Sequence, residues 1–120
     1  MVDRERKSIR DRKLGAELQR LRKEKGLSLR DVANQLGIKP PHLVRVESGE
    51  TAITEEPLTK LCKILGADPE DILTFRGQVS EDFADIIAEN PEPFNDLRKL
   101  VKTNPNSIFR VIRVVRDGKW

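Results

Sequence analysis

The sequence has no tyrosine and only one histidine, one cysteine, one methionine and one tryptophan. Each shortage closes off a class of protein. With Cys62 alone, no internal disulfide can form, so a reducing cytoplasm is the expected setting. His42 and Cys62 are too few for a metal-spaced cluster, and there is no glycine-rich phosphate loop. No catalytic centre, metal site or cofactor is expected, and the chain does not read as an enzyme. Scarce aromatics argue against a sheet that stacks RNA bases. No apolar run approaches the length of a bilayer span, and no charged-then-apolar leader opens the sequence, so no membrane partner is expected.

Charge is plentiful, and its placement says more than its sum. The formal net charge of +3 is too small to argue nucleic-acid binding unaided. Residues 1–25, however, carry ten Lys and Arg against Asp3, Glu5, Asp11, Glu17 and Glu24, an excess of five. Residues 79–96 carry Glu81, Asp82, Asp85, Glu89, Glu92 and Asp96 with no base. Residues 97–120 turn basic again, with seven bases against Asp117. The pattern is basic, acidic, basic.

The stretch LRDVANQLGIKPPHLVRV, from Leu29 to Val46, organises the rest. Val32, Leu36, Leu43 and Val46 fall at helical spacing, and Ala33 leaves room for a close helix approach. Gly37 stands where the chain must turn, with Ile38 as an apolar plug beneath it. Two short helices joined by a tight turn are predicted, the second of which can be offered to a DNA major groove.

With its flanks, LRKEKGLSLRDVANQLGIKPPHLVRVESGE followed by LTKLCKILGADPEDIL, this stretch resembles the phage-repressor and XRE-type helix-turn-helix regulators over roughly residues 14–76. The resemblance implies an all-α fold: a five-helix bundle like that of lambda repressor, followed here by a helical C-terminal extension. The expected domains are a basic N-terminal arm at 1–13, the DNA-binding bundle at 14–77, and the extension at 78–120.

The apolar spacing predicts helix 1 from near Lys13 to Lys25, with Leu14, Leu18 and Leu21 inward. Ser28 caps helix 2. Helix 3 is expected to begin at Pro41, because Pro41 disfavours the α conformation for Pro40. Thr54 caps helix 4, and Asp68 with Pro69 opens helix 5, sealed by Ile72, Leu73 and Phe75. Cys62 occupies a core position and reads as an inert buried thiol.

The residues expected to meet double-stranded DNA are Ser28, Arg30, Lys39, Pro41, His42, Val44, Arg45, Ser48 and Thr51. Prolines cannot hydrogen-bond bases, so polar reading falls on Lys39, His42 and Arg45, while Pro41 can touch a thymine methyl. Arg45 can pair with guanine through its planar fork; Ser48 and Thr51 suit phosphate. In the resembling family a glutamine often contacts the DNA backbone at the position of Leu29, a bond that leucine cannot make. The family also pairs a glutamate after helix 3 with an arginine of helix 1, which implies an ion pair between Glu47 and Arg22.

The extension predicts three helices, 81–89 after Ser80, 91–102 after Asn90, and about 105–117 after Asn104. Its apolar residues exceed what a small bundle can cover, so a homodimer is expected. Phe83, Ile87, Phe94, Ile108, Ile112 and Val115 are the expected dimerisation residues, and the operator is then a palindrome. Arg110, Arg113 and Arg116 can pair with the acidic stretch, within or between chains. The leading function is a sequence-specific transcriptional regulator, a dimeric repressor acting by operator occupancy. The second is an antitoxin-like autoregulator whose extension binds a regulatory protein partner, such as a toxin, or is controlled by a protease.

Overall fold

Apolar residues three and four apart recur along most of the chain, and helices form wherever they do. The computed structural model describes residues 2–118. Among these it contains eight α-helices and no strand: α1 Asp3–Glu24, α2 Leu29–Leu36, α3 Pro40–Ser48, α4 Glu55–Leu65, α5 Pro69–Thr74, α6 Glu81–Glu89, α7 Pro91–Thr103 and α8 Ser107–Asp117. None is long and apolar enough to cross a membrane. The fold is an all-α helix-turn-helix bundle with a helical extension. Two units divide between Val79 and Ser80.

In the first unit α1 packs on α3, α4 and α5, and α2 packs on α3 and α4. The core collects Leu14 and Leu18 of α1, Val32 and Ala33 of α2, Leu43 and Val46 of α3, Ile53, four residues of α4 (Leu58, Leu61, Cys62, Leu65), and Ile72 of α5. Leu29 packs against this core as well, so the residue standing where the family often has glutamine serves packing.

Helix α1 begins at Asp3, ten residues before the expected start near Lys13. Residues 3–13 carry almost no apolar stripe, which hid the helix from a reading by periodicity. They are nonetheless rich in Arg and Lys, which favour helix, and Asp3 and Glu5 sit at the positive end of its dipole. Tertiary contact completes the argument: these turns lie against Gly49, Arg76 and Gly77 of the same unit. Met1, at the start of the expected arm, lies outside the described residues.

Two other boundaries also moved. Helix α3 begins at Pro40, with Lys39 as its extended N-cap. Both prolines fit because the first-turn N–H groups have no intrahelical partner to lose. Helix α8 begins at Ser107, because Asn104 ends α7 and its carbonyl accepts Ser107 N–H (3.0 Å) and Oγ (2.6 Å) in an intervening turn. Phe75 does not seal the core; it is 41% exposed at the C-terminal end of α5. Thr54 takes the N-cap position of α4 without a side-chain capping bond.

In the second unit α7 packs on α6 and on α8. Ser80 caps α6 by accepting Phe83 N–H at 3.2 Å. Phe83 and Phe94 meet edge to face, with centroids 5.9 Å apart. Yet Ser107 is the only side chain buried here among the described residues, and no apolar one is. Lys119 and Trp120, at the end of the expected extension, lie outside the described residues.

Candidate nucleic-acid interface

The turn between α2 and α3 is built from backbone bonds that only a left-handed residue allows. Gly37 has φ +74° and donates its N–H to Asn34 O (3.1 Å), while Ile38 N–H reaches Ala33 O (3.0 Å). Ile38 then tucks against the core and Lys39 opens α3. At the start of α2, Ser28 Oγ accepts Asp31 N–H at 3.0 Å, which leaves the hydroxyl proton free to donate outward.

Helix α3 divides cleanly by face. Leu43, Val46 and Glu47 point inward and are buried. Pro41, Val44, Arg45 and Ser48 are exposed on the other side, and His42 is half-buried between them. Ile38, Lys39, Pro41, His42 and Arg45 line one shallow depression, so four of the expected DNA-contacting residues share a single surface. Val44 is half-exposed and lies outside that lining.

The basic groups of α2 and of the start and free face of α3 are unspent. Among the described residues, Arg30, Lys39 and Arg45 have no carboxylate within ion-pair distance. Ser48 differs, because its Oγ donates to Arg45 O at 3.0 Å. Thr51 N–H donates to the same carbonyl at 3.2 Å. These two residues fold the chain back over the C-terminal end of α3. Ser28 and Arg30 stand at the start of α2, apart from the depression.

Behind the face, Arg22 of α1 grips Glu47 with two prongs. Nε donates to Oε2 at 2.7 Å and Nη2 to Oε1 at 3.0 Å, while Nη1 donates to Leu27 O at 2.9 Å. Both side chains are buried, and the Glu47 carboxylate holds the guanidinium above its ordinary pKa. Close packing beside this pair depends on Gly15. A Cβ there would run into the main-chain carbonyls of Val46 and Glu47, so only glycine lets α1 cross α3 this closely. Sequence reasoning passed over Gly15; the available signal was a glycine within an otherwise leucine-patterned helix.

The expected dimerisation residues fall into two groups. Phe83, Ile87, Phe94 and Ile108 are partly spent on contacts within the second unit. Val115 on α8 is 60% exposed, and Ile112 is 42% exposed, much as Phe83 is at 43%. Phe109, Ile86 and Leu100, which the sequence reading did not select, are exposed too. No ion pair joins the arginines of α8 to the acidic residues of α6 and α7 among the described residues.

A tight-turned helix pair, braced by three further helices and offering an unpartnered basic face on its second member, defines a DNA-binding transcription regulator of the XRE-like helix-turn-helix kind. Residues 13–75 match the family described as "Helix-turn-helix domain", and the chain belongs to that family. Two solved structures of the clp gene regulator ClgR from Corynebacterium glutamicum resemble it. One is 33% identical, covering 57% of this chain and 88% of that one, with a TM-score of 0.51. The other is 29% identical over 81% of this chain and 95% of that one, with a TM-score of 0.52. Among curated proteins, glutamine–fructose-6-phosphate aminotransferase (isomerizing) from Methanocaldococcus jannaschii is 34% identical over 64 residues, 52% of this chain. The chain spans 6% of that relative's length.

Proposed function

We propose that this chain regulates transcription as a homodimer that reads a palindromic operator through α3. The observation that carries the reading is the free face of α3, where Lys39, Pro41, His42 and Arg45 share one depression and, among the described residues, no carboxylate lies within ion-pair distance of Arg45. Arg45 supplies base discrimination, Lys39 and His42 add polar contacts, and Pro41 and Val44 meet methyl groups. Ser28, Arg30 and Thr51 set the register on phosphate, with Ser48 contributing after its hydroxyl turns from Arg45 O. Repression follows where the operator overlaps a promoter, because bound protein excludes polymerase. A DNA partner and a single cysteine, Cys62, both support a cytoplasmic setting.

Dimerisation is supported by the poverty of the second unit. Below roughly 40 residues a chain rarely holds a core without help, and oligomerisation is one remedy. Here Ile112 and Val115 extend an apolar face that stays 42% and 60% exposed, and α6 and α8 carry opposite charge without an ion pair between them among the described residues. A second copy satisfies both, with α8 of one subunit laid on α6 of the other. The antitoxin-like reading shares the first unit and would give this face to a foreign protein instead.

Fluorescence anisotropy with a selected operator tests the proposal, and promoters of clp genes, which the similar protein ClgR regulates, are the first to try. Arg45→Ala is expected to weaken specific binding by about 1–3 kcal/mol and to relax one base position. Equal loss on specific and random DNA would reduce Arg45 to a phosphate contact.

A further inference from the structure

Among the described residues, one buried side-chain nitrogen or oxygen lacks a hydrogen-bond partner, and the side chain that carries it lines a cleft away from α3's free face. The atom is Arg76 Nε. Its guanidinium is anchored by Nη2, which donates to Ile53 O at 2.9 Å. Asp11 Oδ1 lies 3.6 Å from Nε, near enough for charge attraction and too far for a hydrogen bond. The attraction to Asp11 is therefore that of a long ion pair, and Nε keeps a hydrogen-bond donor unspent.

The cleft supplies the rest. It measures about 280 Å³ and is lined by Lys7, Arg10, Asp11, Ala52, Arg76 and Gln78. Arg10 is laid down over the end of α5, where a Cβ on Gly77 would come 3.3 Å from Arg10 Nε. Gly77 has φ +80°, so the chain turns there without a side chain to push Arg10 aside. Lys7 and Arg10 have no carboxylate within ion-pair distance among the described residues. Three cations against the single carboxylate of Asp11 leave an excess of two positive charges around one concavity. Like charges gathered this way repel until a counter-charge enters.

We propose that this cleft, between the first turns of α1 and the end of α5, binds a phosphate-type oxyanion. A doubly charged tetrahedral anion matches both the excess charge and the donors, since planar guanidinium groups and an ammonium are the usual phosphate-binding set. Gln78 adds an amide donor. Size points the same way. Pockets for drug-sized ligands run from roughly 300 to 1,000 Å³, so this one suits a phosphate group with a small attached moiety. The first turns of α1 form a wall of a binding site, which gives the charged segment a role beyond packing. The phosphate can belong to a DNA backbone or to a soluble phosphate ester, and the proposal does not depend on how α3 reads DNA.

The test uses the full-length chain, labelled with nitrogen-15, and inorganic phosphate as probe. The Nε–H resonances of Arg76 and Arg10 are followed through titration with phosphate and, at matched ionic strength, with chloride. Saturable shifts with phosphate and not with chloride are expected. Lys7→Gln with Arg10→Gln should weaken that binding at least tenfold with an unchanged melting temperature, because both side chains are exposed and unpaired. Small, non-saturating shifts that are the same for both salts would overturn the proposal. So would saturable binding that the double variant leaves intact. A second arm measures affinity for random-sequence duplex against salt. If the phosphate is DNA's, the double variant should lower the log–log slope by about 1.8, the value for two lost contacts. An unchanged slope alongside saturable phosphate binding assigns a soluble anion. Should the chain bind no DNA at all, the regulatory reading falls, while the phosphate titration still decides the cleft.

Discussion

Arg22 and Glu47, 25 positions apart in the chain, close a buried two-pronged ion pair that ties α1 to the last turn of α3. The pair fixes how α3 is carried, because Glu47 lies on the face opposite Arg45 and shares its helix. Its worth shows on breaking. Removing one partner strands a buried charge, so Glu47→Ala should cost about 3–5 kcal/mol in chemical denaturation. A loss below about 1 kcal/mol, the range of exposed pairs, would mean that the pair is solvated in solution.

Gly15 is expected to reverse a familiar trend. Replacing glycine by alanine inside a helix usually stabilises by roughly 1 kcal/mol. Here the added methyl meets the carbonyls of Val46 and Glu47, which are main chain and cannot swing aside. Gly15→Ala should therefore destabilise, by about 1–3 kcal/mol, as overpacking does. Thermal melts of the two proteins read the sign directly, and a raised melting temperature would contradict the helix crossing.

How much of this was legible beforehand follows from what each residue's signal is made of. The pair α2–α3 was readable because Gly37, Ile38 and the apolar spacing of Val32, Leu36, Leu43 and Val46 all encode one turn locally. The first turns of α1 were not. Their helix rests on charged residues and on contacts with Gly49 and Gly77, which lie far along the sequence. The importance of Gly15 was hidden for the same reason, since the atoms it makes room for belong to α3. Phe75 misled because a helix of six residues offers too little periodicity to say which face an aromatic takes. On the free face of α3, the grouping of Lys39, Pro41, His42 and Arg45 was legible from helical spacing. That Ser48 turns its hydroxyl back to Arg45 O depends on a rotamer, and no sequence pattern reports one.

Cys62 should be silent to thiol reagents while the protein is folded. Burial above all, and then the negative charge of Asp68, push its thiol above the usual range. The reactive thiolate is therefore scarce at pH 8. Alkylation should be slow in the native protein and fast in denaturant. Because the folded state favours the neutral thiol, this site contributes a loss of stability as pH climbs past the ordinary thiol value of about 8.5. Rapid native labelling would place Cys62 outside the core.

Ile112→Glu with Val115→Glu should separate the copies without unfolding the first unit. Both positions are exposed in the single chain, so their charge is costly only where another surface covers them. Sedimentation of the wild type at micromolar concentration should give a dimer, and the double variant a monomer. A wild-type monomer, or a variant that still dimerises, would remove α8 from the interface.

The central claim is that two copies of α3 read DNA together, and selection of binding sites from a random duplex library tests it most directly. Half-sites should emerge as an inverted repeat with centres about one helical turn, roughly 34 Å, apart. Repeating the selection with Arg45→Ala should blur the same base position in both halves. A library that stays unenriched, or yields a single site with no inverted partner, would contradict the account.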